Sequence, residues 1–131
     1  MLPADCGEIS RLIYSRRHYS PENGRVHFAA FMPSAKEASP QLSILCIENL
    51  EQQAIWDLGA EADAHRSDGR LYKARADRAG TFIESLGLSI DRNNHPFQRH
   101  GNILGWPDGL LQQQQLATDL AKTASPIARP S

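Results

Sequence analysis

Cysteine is nearly absent from this chain. Cys6 and Cys46 are the only two, they lie far apart, and no C-x-x-C pair exists. A zinc ribbon and a thioredoxin-type redox motif therefore have no basis in the sequence. Cys46 falls in an apolar run, so the expectation is two free thiols in a reducing compartment. An excess of charge of one sign is also missing. Fourteen Lys and Arg stand against fifteen Asp and Glu, for a net charge of −1, which gives no overall electrostatic footprint for nucleic acid. No apolar run approaches the roughly 20 residues of a membrane span. Met1-Leu2-Pro3-Ala4-Asp5 has neither the basic nor the apolar region of a signal peptide, so a cytoplasmic location and no membrane contact are expected. The chain has no G-x-x-x-x-G-K-[ST], G-x-G-x-x-G, G-x-S-x-G or H-E-x-x-H segment. Nucleotide triphosphate hydrolysis, dinucleotide chemistry, serine hydrolysis and zinc proteolysis lose their usual support.

What is present describes one small domain over residues 1–131, with ends at about 1–8 and 125–131 expected to be flexible. The fold class expected is α+β, with a small antiparallel sheet from the N-terminal half packed against about three helices from the C-terminal half. Ile9 to Tyr14 reads as a strand. Ser20-Pro21-Glu22-Asn23-Gly24 is a turn, since Asn-Gly favours a tight hairpin. Arg25 to Met32 alternates Val26, Phe28, Ala30 and Met32 on one face, the period of a strand. A loop follows at 36–40, then the apolar strand Leu42 to Ile47. These three strands suggest a meander.

Helical spacing begins after Asn49, which with Gln52 resembles a capping pair. Leu50, Ala54, Leu58 and Ala62 form one stripe, with Gly59 as an unexplained weak point. Glu61 and Asp63 fall on its polar face. Ala76, Ala79, Ile83 and Leu86 predict a second helix, and Leu88 to Ile90 a brief strand. Asp108 is placed to cap a third helix, in which Leu110, Leu111, Ala117, Leu120, Ala121 and Ala124 keep the helical period. Gln112 to Gln115 are expected on its solvated face.

Chemistry concentrates in the segment Arg99-His100-Gly101-Asn102-Ile103-Leu104-Gly105-Trp106-Pro107, read as a loop between helices. His100 titrates near neutral pH and can serve as acid or base. Arg99 can hold an anion, Asn102 can orient an oxygen, and Trp106 offers a flat face. The plain alternative is turn chemistry, with Trp106 in the core and Pro107 setting up the last helix. A second cluster, Arg16-Arg17-His18-Tyr19, combines cations with an aromatic ring, as phosphate binding requires; a solvated basic strand is its plain alternative. If His18 and Arg16 fold beside His100 and Arg99, the set suits a metal-independent phosphodiesterase or ribonuclease. His95 and His100 lack the further ligands of a metal site, and no metal or cofactor is expected.

His100 to Pro107, taken with Arg25-Val26, Phe31-Met32-Pro33 and Ile55-Trp56-Asp57-Leu58-Gly59, resembles a group of small uncharacterised bacterial proteins that share an RHxNIxGWP-like loop. The resemblance implies a free-standing bacterial domain and carries no activity. The favoured expectation is a binding or accessory protein that meets a protein partner or small anionic ligand through residues 99–107. RNA is a partner that the net charge does not favour. A structural homodimer is the third reading.

Overall fold

The computed structural model describes residues 6–34 and 39–130. The expected loop at 36–40 and the expected flexible end at 1–8 lie partly outside them. The described residues form eight strands and three helices: β1 (Glu8–Ile13), β2 (Tyr19–Ser20), β3 (Arg25–Val26), β4 (Leu42–Cys46), α1 (Gln52–Ala64), β5 (Ala74–Ala79), α2 (Gly80–Ser85), β6 (Ser89–Asp91), β7 (His100–Leu104), α3 (Leu110–Lys122) and β8 (Pro126–Ala128). Two 3-10 turns, Arg16–His18 and Phe28–Phe31, flank the small β2–β3 ribbon. Among the described residues no helix is long and apolar enough to cross a membrane.

The class is α+β, as expected, but the sheet draws on both halves of the chain. Six antiparallel strands run in the order β6-β7-β4-β1-β5-β8. Only β1 and β4 come from the first half, so the meander does not form. Arg25 to Met32 is not one strand. Two residues pair with β2, then the His27 Nδ1 accepts the Ala29 N–H and starts a 3-10 turn that buries Ala30 and Phe31.

Alternation along the strands sorts the core into two layers. Ile9 and Ile13 of β1, Leu42 and Ile44 of β4, and Ile103 of β7 pack with Ala117, Leu120 and Ala121 of α3. On the other face Leu12 and Leu45 pack with Ile55 and Leu58 of α1. Gly59 is now explained. A Cβ there would stand 2.6 Å from Cε1 of Tyr72, so the helix approaches that ring as closely as it does because the side chain is missing.

Several local expectations are overturned. Ala74 to Ala79 is a strand, because Ala74 and Ala76 fill the narrow space of the α3 layer while Arg75 and Asp77 turn to the α1 layer. Alanine's helix preference yields to that packing. Glu51, not Asn49, precedes α1, without a side-chain cap; Asn49 has φ of 64°, and Gln52 instead accepts a hydrogen bond from Arg75. Gly109, not Asp108, precedes α3. Leu110 and Leu111 are exposed, whereas Gln113 is buried and donates to the Pro107 carbonyl. The tail expected at 125–131 supplies β8 on the sheet edge.

The cysteines are not free. Cys6 and Cys46 form a disulfide across 40 positions, joining the chain ahead of β1 to the end of β4.

Asp63 is buried rather than on a polar face. Its carboxylate accepts from the Tyr14 hydroxyl at 2.8 Å, from the Tyr72 N–H at 3.2 Å and from Arg129 at 2.9 Å. One carboxylate thus ties the end of α1, the strand edge and the C-terminal segment together.

Candidate functional site

The segment 99–107 is largely a strand, not a loop. Arg99 enters with φ of 73° and Gly105 leaves with φ of 90°, and between them β7 pairs with both β4 and β6. Gly and Asn are poor strand formers. Gly101 is needed here for space, because a Cβ would lie 2.7 Å from the Asp91 carbonyl oxygen of β6.

Most of the expected ligand contacts are spent inside the fold. The Arg99 backbone carbonyl accepts from the Cys46 N–H at 2.8 Å. Its guanidinium returns a hydrogen bond to the Cys46 carbonyl at 3.0 Å and pairs with Glu48 at 3.6 Å. Asn102 is buried and accepts from the Ser43 hydroxyl. Trp106 is a core residue whose indole N–H donates to the Ile103 carbonyl at 2.9 Å. Arg16 is exposed on the first 3-10 turn.

His100 is the exception. Half-buried on β7, it borders a cleft of about 220 Å³ on the α1 side of the sheet. Arg11, Tyr14, His65, Arg66 and Phe97 also line it. The His100 ring meets the edge of Phe97 with centroids 5.4 Å apart, and His65 lies on the same phenyl ring at 5.0 Å. Its Nδ1 is 3.3 Å from the Asn93 side-chain oxygen. Burial, with the neighbouring His95 and His65 charges, pulls the imidazole below its ordinary pKa, against a raising contribution from the His95 backbone.

The cleft exists because β1 and β4 separate. They pair only at Ile9–Cys46 and Ser10–Leu45, after which β1 continues with β5 and β4 with β7. Arg11 fills the gap. Its Nε donates to the Ala30 carbonyl at 2.8 Å and its Nη1 to the Ser43 carbonyl at 2.9 Å. Desolvation pushes this guanidinium down to about 10, so it is still charged at neutral pH. Among the described residues no carboxylate pairs with it. Arg66 at the rim is different, because it stacks on Tyr14 at 3.9 Å and is held bidentately by Asp68.

His18 does not join His100. It lies on the first 3-10 turn, outside the cleft, and the charges acting on it are those of His27, Arg11 and Arg70. The paired-histidine arrangement with Arg16 and Arg99 is not assembled. Among the described residues no group of three or more His, Cys, Asp or Glu is placed to hold a metal ion.

Arg11 was legible as an anomaly. It falls midway between the core positions Ile9 and Ile13 on one strand face, where a charge is unusual. The roles of His65, Arg66 and Phe97 have no signal in their spacing, since they reach the cleft from α1 and from the segment before β7. A scan against protein-family models and searches of curated proteins and of solved structures returned no match to this chain.

Proposed function

We propose that this chain is a small bacterial binding protein whose cleft takes a small anion carrying an aromatic or apolar group. The observation that carries this reading is Arg11, a guanidinium held in a concave site with its charge uncompensated. Buried charge is normally paired, so such a group favours an anionic occupant. His100 and His65 add donors beside it, and Phe97 and Tyr14 supply the apolar wall. The strand around His100 is retained as the ligand-facing element, with Arg99, Asn102 and Trp106 as its scaffold. A protein partner at this segment loses support, since Asn102 and Trp106 are buried. The Cys6–Cys46 bond fits an oxidising compartment better than a reducing cytoplasm.

Isothermal titration with phenyl phosphate and with inorganic phosphate tests the reading. Binding of phenyl phosphate, tighter than phosphate and weakened at least ten-fold in Arg11→Gln, supports it. No heat from either probe, or equal affinity in a folded Arg11→Gln variant, overturns it.

A second reading rests on His65 and His100 standing against one phenyl ring in the same cleft. Two imidazoles beside cations suit acid–base cleavage of a phosphodiester. Its test is release of nitrophenol from bis(p-nitrophenyl) phosphate, lost in both His65→Gln and His100→Gln.

A further inference from the structure

We propose that the segment 16–28 binds single-stranded nucleic acid in the groove it forms with the C-terminal half of α3. The groove has a volume of about 380 Å³ and is lined by Arg17, Tyr19, Arg25, His27, Phe28 and Lys122, among others. The β2–β3 ribbon builds it. Pairing of Ser20 with Arg25 and of Tyr19 with Val26 brings Arg25 and His27 back beside Arg17. No residue lines both this groove and the Arg11 cleft, although Arg11 reaches across to the Ala30 carbonyl of the adjoining turn.

Two observations point to a polyanion. Of the eight arginines elsewhere, five, at 66, 75, 92, 99 and 129, are paired with a carboxylate, and the other three donate to neutral oxygens: Arg11 to Ala30 and Ser43, Arg70 to Tyr14 and Arg78 to Thr123. Among the described residues, Arg16, Arg17 and Arg25 have no such pair, although all three are exposed. Lys122 has only the loose contact with Asp119 at 3.8 Å. Glu22 is the one acidic residue within 16–28. The net charge of −1 thus averages over a locally basic segment.

The rings select among polyanions. Tyr19 and Phe28 are half-buried groove residues, and the His27 imidazole lies 4.5 Å from the Phe28 ring. A cationic groove with aromatic faces suits unpaired bases, which stack while their phosphates are neutralised. An acidic protein surface uses the cations alone, and a duplex hides its base faces.

Fluorescence anisotropy with labelled twelve-nucleotide oligo(U) and oligo(dT), from 50 to 200 mM salt, tests this. Saturable binding to either is expected. Arg17→Gln/Arg25→Gln should weaken it at least ten-fold and lower the salt slope by about 1.4, the share of two phosphate contacts. Phe28→Leu, which keeps the apolar packing, should weaken it at least five-fold. Lys73→Gln, an exposed cation outside both sites, should leave it unchanged, and circular dichroism confirms that each variant is folded. The proposal is overturned by an absence of saturable binding at 50 mM salt, by unchanged affinity in the double variant or in Phe28→Leu, or by equal affinity for a labelled polyglutamate.

Discussion

The imidazole of His100 stands edge-on to the phenyl ring of Phe97, with centroids 5.4 Å apart and planes at 68°. The ring of His65 lies 5.0 Å away on the same phenyl group. This sandwich holds His100 in a setting where its charged form is poorly solvated, and that has a consequence for stability against pH.

The sign follows from linkage. His100 and His18 both have folded pKa values lowered from 6.5, first by burial. The unfolded chain therefore binds protons that the folded chain refuses. Stability should be level above about pH 7 and fall as pH drops through 6.5 toward the lower folded values. Urea unfolding at pH 5, 6, 7 and 8 measures this. His100→Gln should flatten the acid limb in part; an acid limb identical to wild type would contradict the assignment.

Gly59→Ala should destabilise the protein. Helix propensity alone favours Ala by about 1 kcal/mol. The new methyl group would instead meet the buried Tyr72 ring at 2.6 Å, and overpacking of this kind costs about 1–3 kcal/mol. A melting temperature above wild type would show that the ring yields freely.

Reduction of the Cys6–Cys46 bond should also cost stability. Closing a loop of 40 residues is worth about 4 kcal/mol in the chain-entropy account. A fall in melting temperature of roughly 10–15 °C on adding a phosphine reductant is expected for a domain of this size. Mass spectrometry under non-reducing conditions should find no alkylatable thiol in the oxidised protein.

Asp63→Ala should be among the costlier single changes. It removes the acceptor of the Tyr14 hydroxyl and the Tyr72 N–H and leaves Arg129 only the Tyr72 carbonyl and ring; breaking a fully buried pair costs about 3–5 kcal/mol, and the part-exposed Arg129 places this loss toward the lower end. Proteolysis of the variant should begin near Arg129, because β8 loses its anchor. A loss under 1 kcal/mol by urea unfolding would contradict the role given to this carboxylate.

The parts of the fold that announce themselves in sequence are those with strong local periodicity. α1 and α3 show their apolar spacing, β1 its paired isoleucines and β4 its nearly continuous apolar run. What failed is instructive. β5 is spelled Ala-Arg-Ala-Asp-Arg-Ala, a helical composition, and becomes a strand only because its alanines fit against α3. β7 begins His-Gly-Asn and reads as a turn, yet Gly101 is there to let β6 approach. Such choices are made by tertiary packing. The same holds for the site. The chemistry of the segment marks His100, but it marks Arg99, Asn102 and Trp106 equally, and these three belong to the scaffold. The partners His65, Arg66 and Phe97 depend on how α1 crosses the sheet.

The central claim is that an anion enters the cleft beside Arg11 and His100. The direct measurement is an NMR titration of the His100 ring with and without benzenesulfonate, whose charge does not change with pH. In the free protein the ring should titrate below 6.5, as burial dictates. With the anion bound, protonation should become easier and the apparent pKa should rise, with matching shifts at the Arg11 side chain. A His100 titration that is unmoved by saturating benzenesulfonate would contradict the account.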